Sequence, residues 1–220
     1  MKRPKHNRII RITRLIACCA ITILIIFFVA HRISVVNAIT LLEQTRFYSP
    51  GEAVPYPAAA SQTEEGGKAA TLTVLNSALL DYSDLAQVLP YYEDPFIEAG
   101  SATDAKFLII DLLLSNNTSE IVPSPLPFLS VSEKAWGTGP DLRLLQRINP
   151  DLESLQLAPG EEVDVLVPFE AIDTQFGFNT SAWNSFGERG MQLVLSGFPE
   201  KTVIALGSLQ DFDESSLVIQ

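Results

Sequence analysis

The stretch Lys106-Phe107-Leu108-Ile109-Ile110-Asp111-Leu112-Leu113-Leu114 has the strongest hydrophobic pattern outside the N-terminal region. Because side chains alternate between the two faces of a strand, the stretch after Lys106 has one wholly aliphatic face and a second face with a single polar residue. The first face comprises Leu108, Ile110, Leu112 and Leu114, and the second comprises Phe107, Ile109, Asp111 and Leu113. Two apolar faces predict a central strand. A buried helix is the alternative, but the following Asn116-Asn117 turn and the nearby prolines favour a sheet.

Shorter β-branched and apolar segments flank this strand and are separated by Pro, Gly and Asn turns. They predict strands at 71–80, 128–131, 162–169, 191–196 and 201–206, of which 128–131 is a short edge strand. Pro50-Gly51 predicts a turn before another short edge strand, and Pro159-Gly160 fits a type II turn. Such a series predicts an all-β antiparallel sandwich.

Three segments fit this pattern less well. Residues 82–95 are a long excursion, 141–148 fit either a helical turn or a strand, and 173–189 fit a long loop or a broken helix. These segments are where irregular structure is expected between the strands.

An apolar run from Leu15 to Val36 organises the N-terminal region. It includes sixteen uncharged residues between Arg14 and His31, which span about 24 Å as a helix. Six basic residues and no acidic residue precede the run, which places the N-terminus in the cytoplasm by the positive-inside rule. We expect one transmembrane signal anchor at 15–36 in the lipid bilayer, after a basic cytoplasmic tail at 1–14. The alternative is a cleaved signal peptide ending at Ala38.

The remainder of the chain predicts a stalk and domain entrance at 37–68, an extracytoplasmic sandwich at 69–210 and an acidic tail at 211–220. All 26 acidic residues follow the anchor, whereas only eight of the 15 basic residues do, so this part has a net charge of −18. Such a charge disfavours nucleic acid and favours solubility, cations or basic partners. We therefore expect a single-pass cell membrane protein whose C-terminal domain is extracellular.

The few Cys and His residues exclude several kinds of site. Cys18 and Cys19 lie in the apolar run, and palmitoylation of either is an open alternative. The only histidines are His6 and His31. The external domain therefore has no disulfide, no Ser-His-Asp triad and no Cys or His metal ligand. We predict no catalytic residue, no cofactor and no metal site. The acidic groups at 161–164 and 211–214 lack the glycine-containing loop of a calcium site and fit solvated faces.

Three motifs carry a resemblance to a known family. They are the strand at 106–117 ending in Asp-x-x-x-x-Asn-Asn, Leu157-x-Pro-Gly-Glu-x-Val, and Val167-Pro-Phe-Glu170. Together they resemble the immunoglobulin-like domain of Gram-positive surface lipoproteins and membrane-anchored proteins, a domain mostly of unknown function. The resemblance covers Tyr48 to Gly207. It implies an immunoglobulin-like sandwich and an extracytoplasmic location, and it transfers no catalytic residue.

Aromatic residues in irregular segments are candidate partner-binding residues, because Tyr and Trp supply rigid contact area. The alternative is that they anchor loops to the core. The set is Tyr91, Tyr92, Phe96, Trp136, Phe176, Phe178, Trp183 and Phe186.

These observations favour a membrane-anchored extracytoplasmic binding or interaction module without catalytic activity, with an unknown protein or cell-wall partner. One alternative is an accessory subunit of a membrane or cell-envelope complex. The other is a carboxylate-based cell-wall glycan hydrolase, which requires a pocket with two carboxylates beneath aromatic walls.

Overall fold

The computed structural model describes residues 21–32, 45–56, 69–89, 92–152, 156–177, 179–196 and 201–209. The chain divides into two compact units, Met1–Thr45 and Arg46–Gln220. In the first unit, residues 21–32 form helix α1, which exposes its apolar side chains. None of the helices within the described ranges has the length and apolarity needed to cross a membrane. The rest of the predicted anchor, both cysteines, the predicted cleavage position and the acidic tail lie outside the described residues.

The second unit is built mostly from β-strands. They are β1 (Thr45–Tyr48), β2 (Val54–Pro55), β3 (Ala70–Asp81), β4 (Ala105–Asn116), β5 (Val122–Pro123), β6 (Ser130–Glu133), β7 (Trp136–Thr138), β8 (Gln156–Leu157), β9 (Glu162–Ile172), β10 (Met191–Ser196) and β11 (Lys201–Gly207). The helices are α2 (Tyr82–Val88), α3 (Pro95–Glu98), α4 (Leu142–Ile148) and α5 (Thr180–Asn184), with 3-10 turns at Leu126–Phe128 and Asp173–Phe176.

Two sheets enclose the main core. One has the order β1-β11-β10-β6-β7 and the other β2-β3-β4-β9, while β5 and β8 form a separate pair. Buried residues of both large sheets, such as Leu112 and Leu193, belong to one hydrophobic cluster. The predicted β-sandwich is therefore confirmed at this level, and its assignment as immunoglobulin-like stays a prediction.

Strand β4, which contains the apolar stretch 106–114, is central as predicted. It pairs with β3 along one edge and with β9 along the other, from Ala105↔Ile172 to Ser115↔Glu162. One face contributes to the core between the sheets. Phe107 and Ile109 on the opposite face pack with Leu85 of α2 and Leu144 of α4 in a second core. Helices, not a third sheet, bury the outer apolar face.

The other predicted strands at 71–80, 162–169, 191–196 and 201–206 are confirmed as β3, β9, β10 and β11. The edge position predicted for 128–131 is wrong, because β6 lies between β10 and β7. The chain reverses at Lys134, which has a φ of 55°, and β7 then pairs with β6. The long excursion at 82–95 contains α2 and begins α3, and the undecided segment 141–148 contains α4.

Both predicted Pro-Gly turns form. Glu52 N donates to Ser49 O at 3.2 Å, and Glu161 N donates to Ala158 O at 3.1 Å. Gly51 and Gly160 occupy the third turn position with φ values of 84° and 76°. A positive φ at that position is what a type II turn requires, and glycine adopts it without a steric cost. Segment 173–189 is a broken helix, comprising the second 3-10 turn and α5.

Candidate functional site

A cavity of about 330 Å³ opens beside the C-terminal end of β9. Its walls come from Phe96 of α3, the segment 138–143 that leads from β7 into α4, and Gln175 of the second 3-10 turn. Glu170 and Ile172 of β9 complete the lining. Three separate parts of the sequence therefore meet at this cavity.

Both ends of helix α4 hydrogen bond to the edge of β9 that is not paired with β4. At the first end, Asp141 N donates to Pro168 O at 2.9 Å. At the second end, Asn149 Nδ2 donates to Leu166 O at 2.8 Å, and Leu166 N donates to Asn149 Oδ1 at 2.9 Å. These bonds satisfy edge groups of β9 that a further strand would otherwise pair with. They also hold Asp141 close to Glu170.

Two aspartates at the cavity cap short helices, and each uses only one oxygen to do so. Asp94 Oδ1 accepts from Phe96 N at 2.8 Å and Ile97 N at 3.0 Å. Asp141 Oδ1 accepts from Arg143 N at 2.9 Å and Leu144 N at 3.2 Å. Both Oδ2 atoms are buried, and neither accepts a hydrogen bond from an N–H group or a hydroxyl of the described residues. Asp94 is fully buried, and the side chain of Asp141 is 8% exposed.

Glu170 lies between these aspartates on the outer face of β9, opposite Phe107 of β4. Its Oε1 is buried and also receives no hydrogen bond from an N–H group or a hydroxyl within the described part of the chain. Burial, a hydrogen bond with Asp94 and the charges of Asp94 and Asp141 raise the pKa of Glu170 to about 8, against a smaller opposing effect of Arg143. At neutral pH, Glu170 therefore holds a proton that it donates to Asp94.

Tyr92 completes the buried polar group. Its ring packs edge-on against Phe107 with a centroid distance of 5.7 Å, and its hydroxyl is buried. Burial raises the pKa of Tyr92, with added effects from Asp141, Glu170 and Asp94. The tyrosine therefore stays neutral, and its hydroxyl has no hydrogen-bond partner among the described residues.

The rim of the cavity differs from its floor. Phe96 is 41% exposed and Leu142 is 48% exposed, although both are large and apolar. Arg143 is the basic residue of the lining; its side chain is 67% exposed, and its Nε lies 3.7 Å from Asp141 Oδ1. The site combines an apolar rim with an acidic floor.

Four of the predicted aromatic residues form one cluster beside the cavity. Phe176 lies at its centre, 6.1 Å from Trp136, 5.3 Å from Trp183 and 5.5 Å from Phe186 between ring centroids. Trp183 and Phe186 are buried in the core between the sheets. Trp136 Nε1 donates to Gln175 Oε1 at 2.8 Å, which connects the cluster to the cavity wall. This packing is what a loop-anchoring role requires.

The other four predicted residues are dispersed. Tyr92 lies in the second core, and Phe96 reaches the cavity. Tyr91 and Phe178 lie outside the described residues. Within the described ranges, Phe96 is the member of the predicted set that lines the cavity.

Sequence reasoning missed three acidic residues, two that line the cavity and one buried behind them. They are Asp94, Asp141 and Glu170, three of 26 acidic residues in the chain. Asp94-Pro95 is a helix-start signal, because aspartate is a preferred N-cap and proline a preferred first helical residue. Glu170 had a weaker signal, a carboxylate ending the apolar segment Val167-Pro168-Phe169.

Of the two acidic groups considered for calcium, the group at 161–164 lies within the described residues. Glu162 Oε1 accepts from Ser115 Oγ at 3.1 Å, and Glu161 accepts from the backbone of Ala158. Residues 211–214 lie outside the described ranges. Across those ranges, no group of three or more His, Cys, Asp and Glu residues is arranged to hold a metal ion.

Comparison with known proteins gives a family match. The model of a domain of unknown function (DUF5028) matches residues 45–202. No curated protein matches. Among solved structures, an uncharacterized beta-sandwich protein from Clostridium difficile 630 is similar, with 14% identity and a TM-score of 0.36 over 74% of this chain and 95% of that chain.

Proposed function

We propose that this chain, which belongs to the DUF5028 family of domains of unknown function, is a membrane-anchored extracytoplasmic binding module without catalytic activity. Its partner is a protein or a component of the cell wall. The partner contacts the cavity beside β9 and the exposed rim residues Phe96 and Leu142.

The observation that carries this proposal is the contrast between rim and floor. Ligand sites are concave and combine apolar walls with a few convergent polar groups. This cavity has exposed apolar side chains at its rim and buried carboxyl oxygens of Asp141 and Glu170 at its floor. Large apolar side chains exposed at a concave site favour contact with a partner.

A glycan hydrolase is the second candidate, because Asp141 and Glu170 both line the cavity. Glycosidases place two carboxyl groups on either side of the scissile bond, about 5–10 Å apart. Here Glu170 hydrogen bonds to Asp94, and Asp94 and Asp141 each use one oxygen as a helix cap. Phe96 is the aromatic residue of the lining. These features favour binding over hydrolysis.

The proposed anchor is residues 15–36, with the N-terminus in the cytoplasm and the C-terminal domain outside. Its support is the basic segment before the apolar run and the exposure of Ile23, Leu24 and Phe27 on α1, at 68%, 72% and 72%. Apolar side chains exposed around a helix are stabilised by an apolar environment such as a bilayer. An accessory subunit of a membrane complex would use the same anchor.

Site-specific photo-crosslinking tests the binding surface. A benzophenone amino acid replaces Phe96 or Leu142 in the full-length protein in its native membranes. Leu75 of β3 is the matched control, because it is 50% exposed and does not line the cavity. We expect one defined adduct from positions 96 and 142 and none from position 75. Equal yields from all three positions, or no adduct, would refute the proposal.

Protease treatment of whole cells, combined with the intact mass of the membrane-extracted protein, tests the anchor. We expect a full-length mass and removal of the external domain by the protease. A mature chain that begins at Ile39 would show that the apolar run is a cleaved signal peptide.

A further inference from the structure

We infer that the cavity beside β9 binds an organic cation, an ammonium or guanidinium group on an apolar stem. The inference rests on the proposed function and names the chemistry of the ligand. It follows from three features of the floor and rim.

The first feature is a buried carboxylate oxygen of the lining, Asp141 Oδ2, that no donor reaches. Asp141 lines the cavity with a side chain that is 8% exposed, and its Oδ2 has no partner within the described ranges. Glu170, in the same lining, is partly buried; its Oε1 receives no hydrogen bond from an N–H group or a hydroxyl, and its carboxyl group hydrogen bonds with Asp94. A buried acceptor without a donor costs free energy, and a bond from a charged donor offsets that cost best. An ammonium or guanidinium group supplies several N–H donors, whereas an anion supplies none.

The second feature is the charge of the site. Asp94, Asp141 and Glu170 face one another, and Arg143 is the basic residue against them. With Glu170 protonated, the formal charge of these four groups is negative by one unit, and ionisation of Glu170 makes it more negative. The external part of the chain is also strongly acidic, which attracts cations over long distances.

The third feature is the apolar rim. An alkyl stem would lie against Leu142, and the face of the exposed Phe96 ring can attract the cation itself. The volume of about 330 Å³ is close to the lower end of ligand pockets. A lysine or arginine side chain has this combination of stem and charge.

Proton and cation compete because they satisfy the same oxygens. The groups facing Glu170 are Tyr92 and Asp94 from the segment that begins α3, and Asp141 and Arg143 from α4. Without a ligand, the proton on Glu170 reduces the repulsion among the carboxylates. A bound cation does this instead, so binding near neutral pH releases about one proton.

The two tryptophans of the chain provide the measurement. Trp136 Nε1–H donates to Gln175 of the cavity wall, whereas Trp183 Nε1–H donates to Asp104 Oδ2 at 3.1 Å. In the full chain in detergent micelles, the two indole ¹⁵N–¹H signals are followed during titration. The probes are n-butylammonium chloride and Nα-acetyl-lysine methylamide, with the neutral Nε-acetylated analogue as the control.

We expect both cations to shift the Trp136 signal more than the Trp183 signal, and the neutral analogue to shift neither. The apparent Kd should fall about tenfold from pH 6 to pH 7, because one proton leaves. Tighter binding of the lysine probe indicates a polypeptide partner, and tighter binding of n-butylammonium indicates a free amine. Equal binding of the neutral analogue would overturn the inference.

Two variants test the residues. Asp141→Asn keeps a good N-cap while removing the charge, and should weaken cation binding about tenfold or more. Glu170→Gln should abolish the pH dependence of Kd. Asp111→Asn is the matched control, because Asp111 is also a partly buried carboxylate with a raised pKa but does not line the cavity. Wild-type binding by both cavity variants would overturn the inference.

This experiment separates the inference from the proposed function. If photo-crosslinking at positions 96 and 142 succeeds while the cation probes fail to bind, the proposed partner surface is supported and the inference that its ligand is a cation is refuted. If crosslinking fails as well, the proposed function itself is wrong.

Discussion

The side chain of Asn149 hydrogen bonds to both backbone groups of Leu166, donating to its carbonyl at 2.8 Å and accepting from its amide at 2.9 Å. A side-chain amide has the same donor and acceptor arrangement as a peptide group, so Asn149 occupies the place of a neighbouring strand at the edge of β9. The contact joins α4 to the sheet and thereby brings Asp141 to Glu170.

Replacing Asn149 with alanine should release α4 from β9. The variant loses both bonds to Leu166 and a third from Nδ2 to Leu145 O, so we expect a loss of about 2 kcal/mol in the free energy of unfolding. Urea denaturation measures the loss of stability, and faster hydrogen exchange of the Leu166 amide would show that the loss arises at the contact between α4 and β9. Gln146→Ala, an exposed change on the same helix, should stay within about 0.5 kcal/mol of wild type. Equal stability of the two variants would contradict this role.

Asn116 joins two of the sequence motifs. Its side chain is 1% exposed, and its Nδ2 lies within 3.0 Å of the carbonyl oxygens of Glu120, Leu157 and Ala158. Asn116→Ala removes the side-chain donor from all three carbonyls, of which Leu157 O is in a buried hydrogen bond, so we expect a loss of about 2–4 kcal/mol. The neighbouring Asn117 is exposed, and Asn117→Ala should change stability little. Chemical denaturation of the pair is the measurement, and similar midpoints would show that the buried amide is dispensable.

Glu170 should make the protein less stable as the pH rises. Its pKa is raised from 4.5 to about 8 in the folded state, so between these values the folded state binds more protons than the unfolded state. Stability therefore falls across that interval and is fully retained below it. Glu170→Gln removes this contribution. We expect the Tm of the variant relative to wild type to rise by a few degrees from pH 5 to pH 9, and a constant difference would refute the assignment.

The aromatic cluster and the cavity rim should respond differently to truncation. Phe176 contacts three other aromatic rings, so Phe176→Ala should cost about 2–4 kcal/mol of stability. Phe96 is exposed at the rim, so Phe96→Ala should change the Tm little and reduce the adduct formed from a benzophenone at position 142. Thermal denaturation and crosslinking yield measure the two effects. The reverse pattern would identify the cluster as the partner surface.

Local sequence signals predicted much of the sheet and little of the site. The two faces of β4 and both Pro-Gly turns follow from alternation and turn chemistry, which act over a few residues. The position of β6 was mispredicted because an edge strand is one that pairs on a single side, and β6 pairs with β7 as well as with β10. The aromatic residues were recognised as a set, but their packing around Phe176 depends on contacts between distant segments.

Composition and short-range periodicity were enough to predict the central strand, the β-rich sandwich, the acidic charge of the residues after Arg32 and the absence of Cys and His from them. Only the tertiary structure decided that Asp94, Asp141 and Glu170 meet. Their meeting requires β9 to pair with β4 and α4 to attach to β9 through Asp141 and Asn149. Such long-range pairings are set by how the whole core packs, and no local pattern around any one carboxylate specifies the other two.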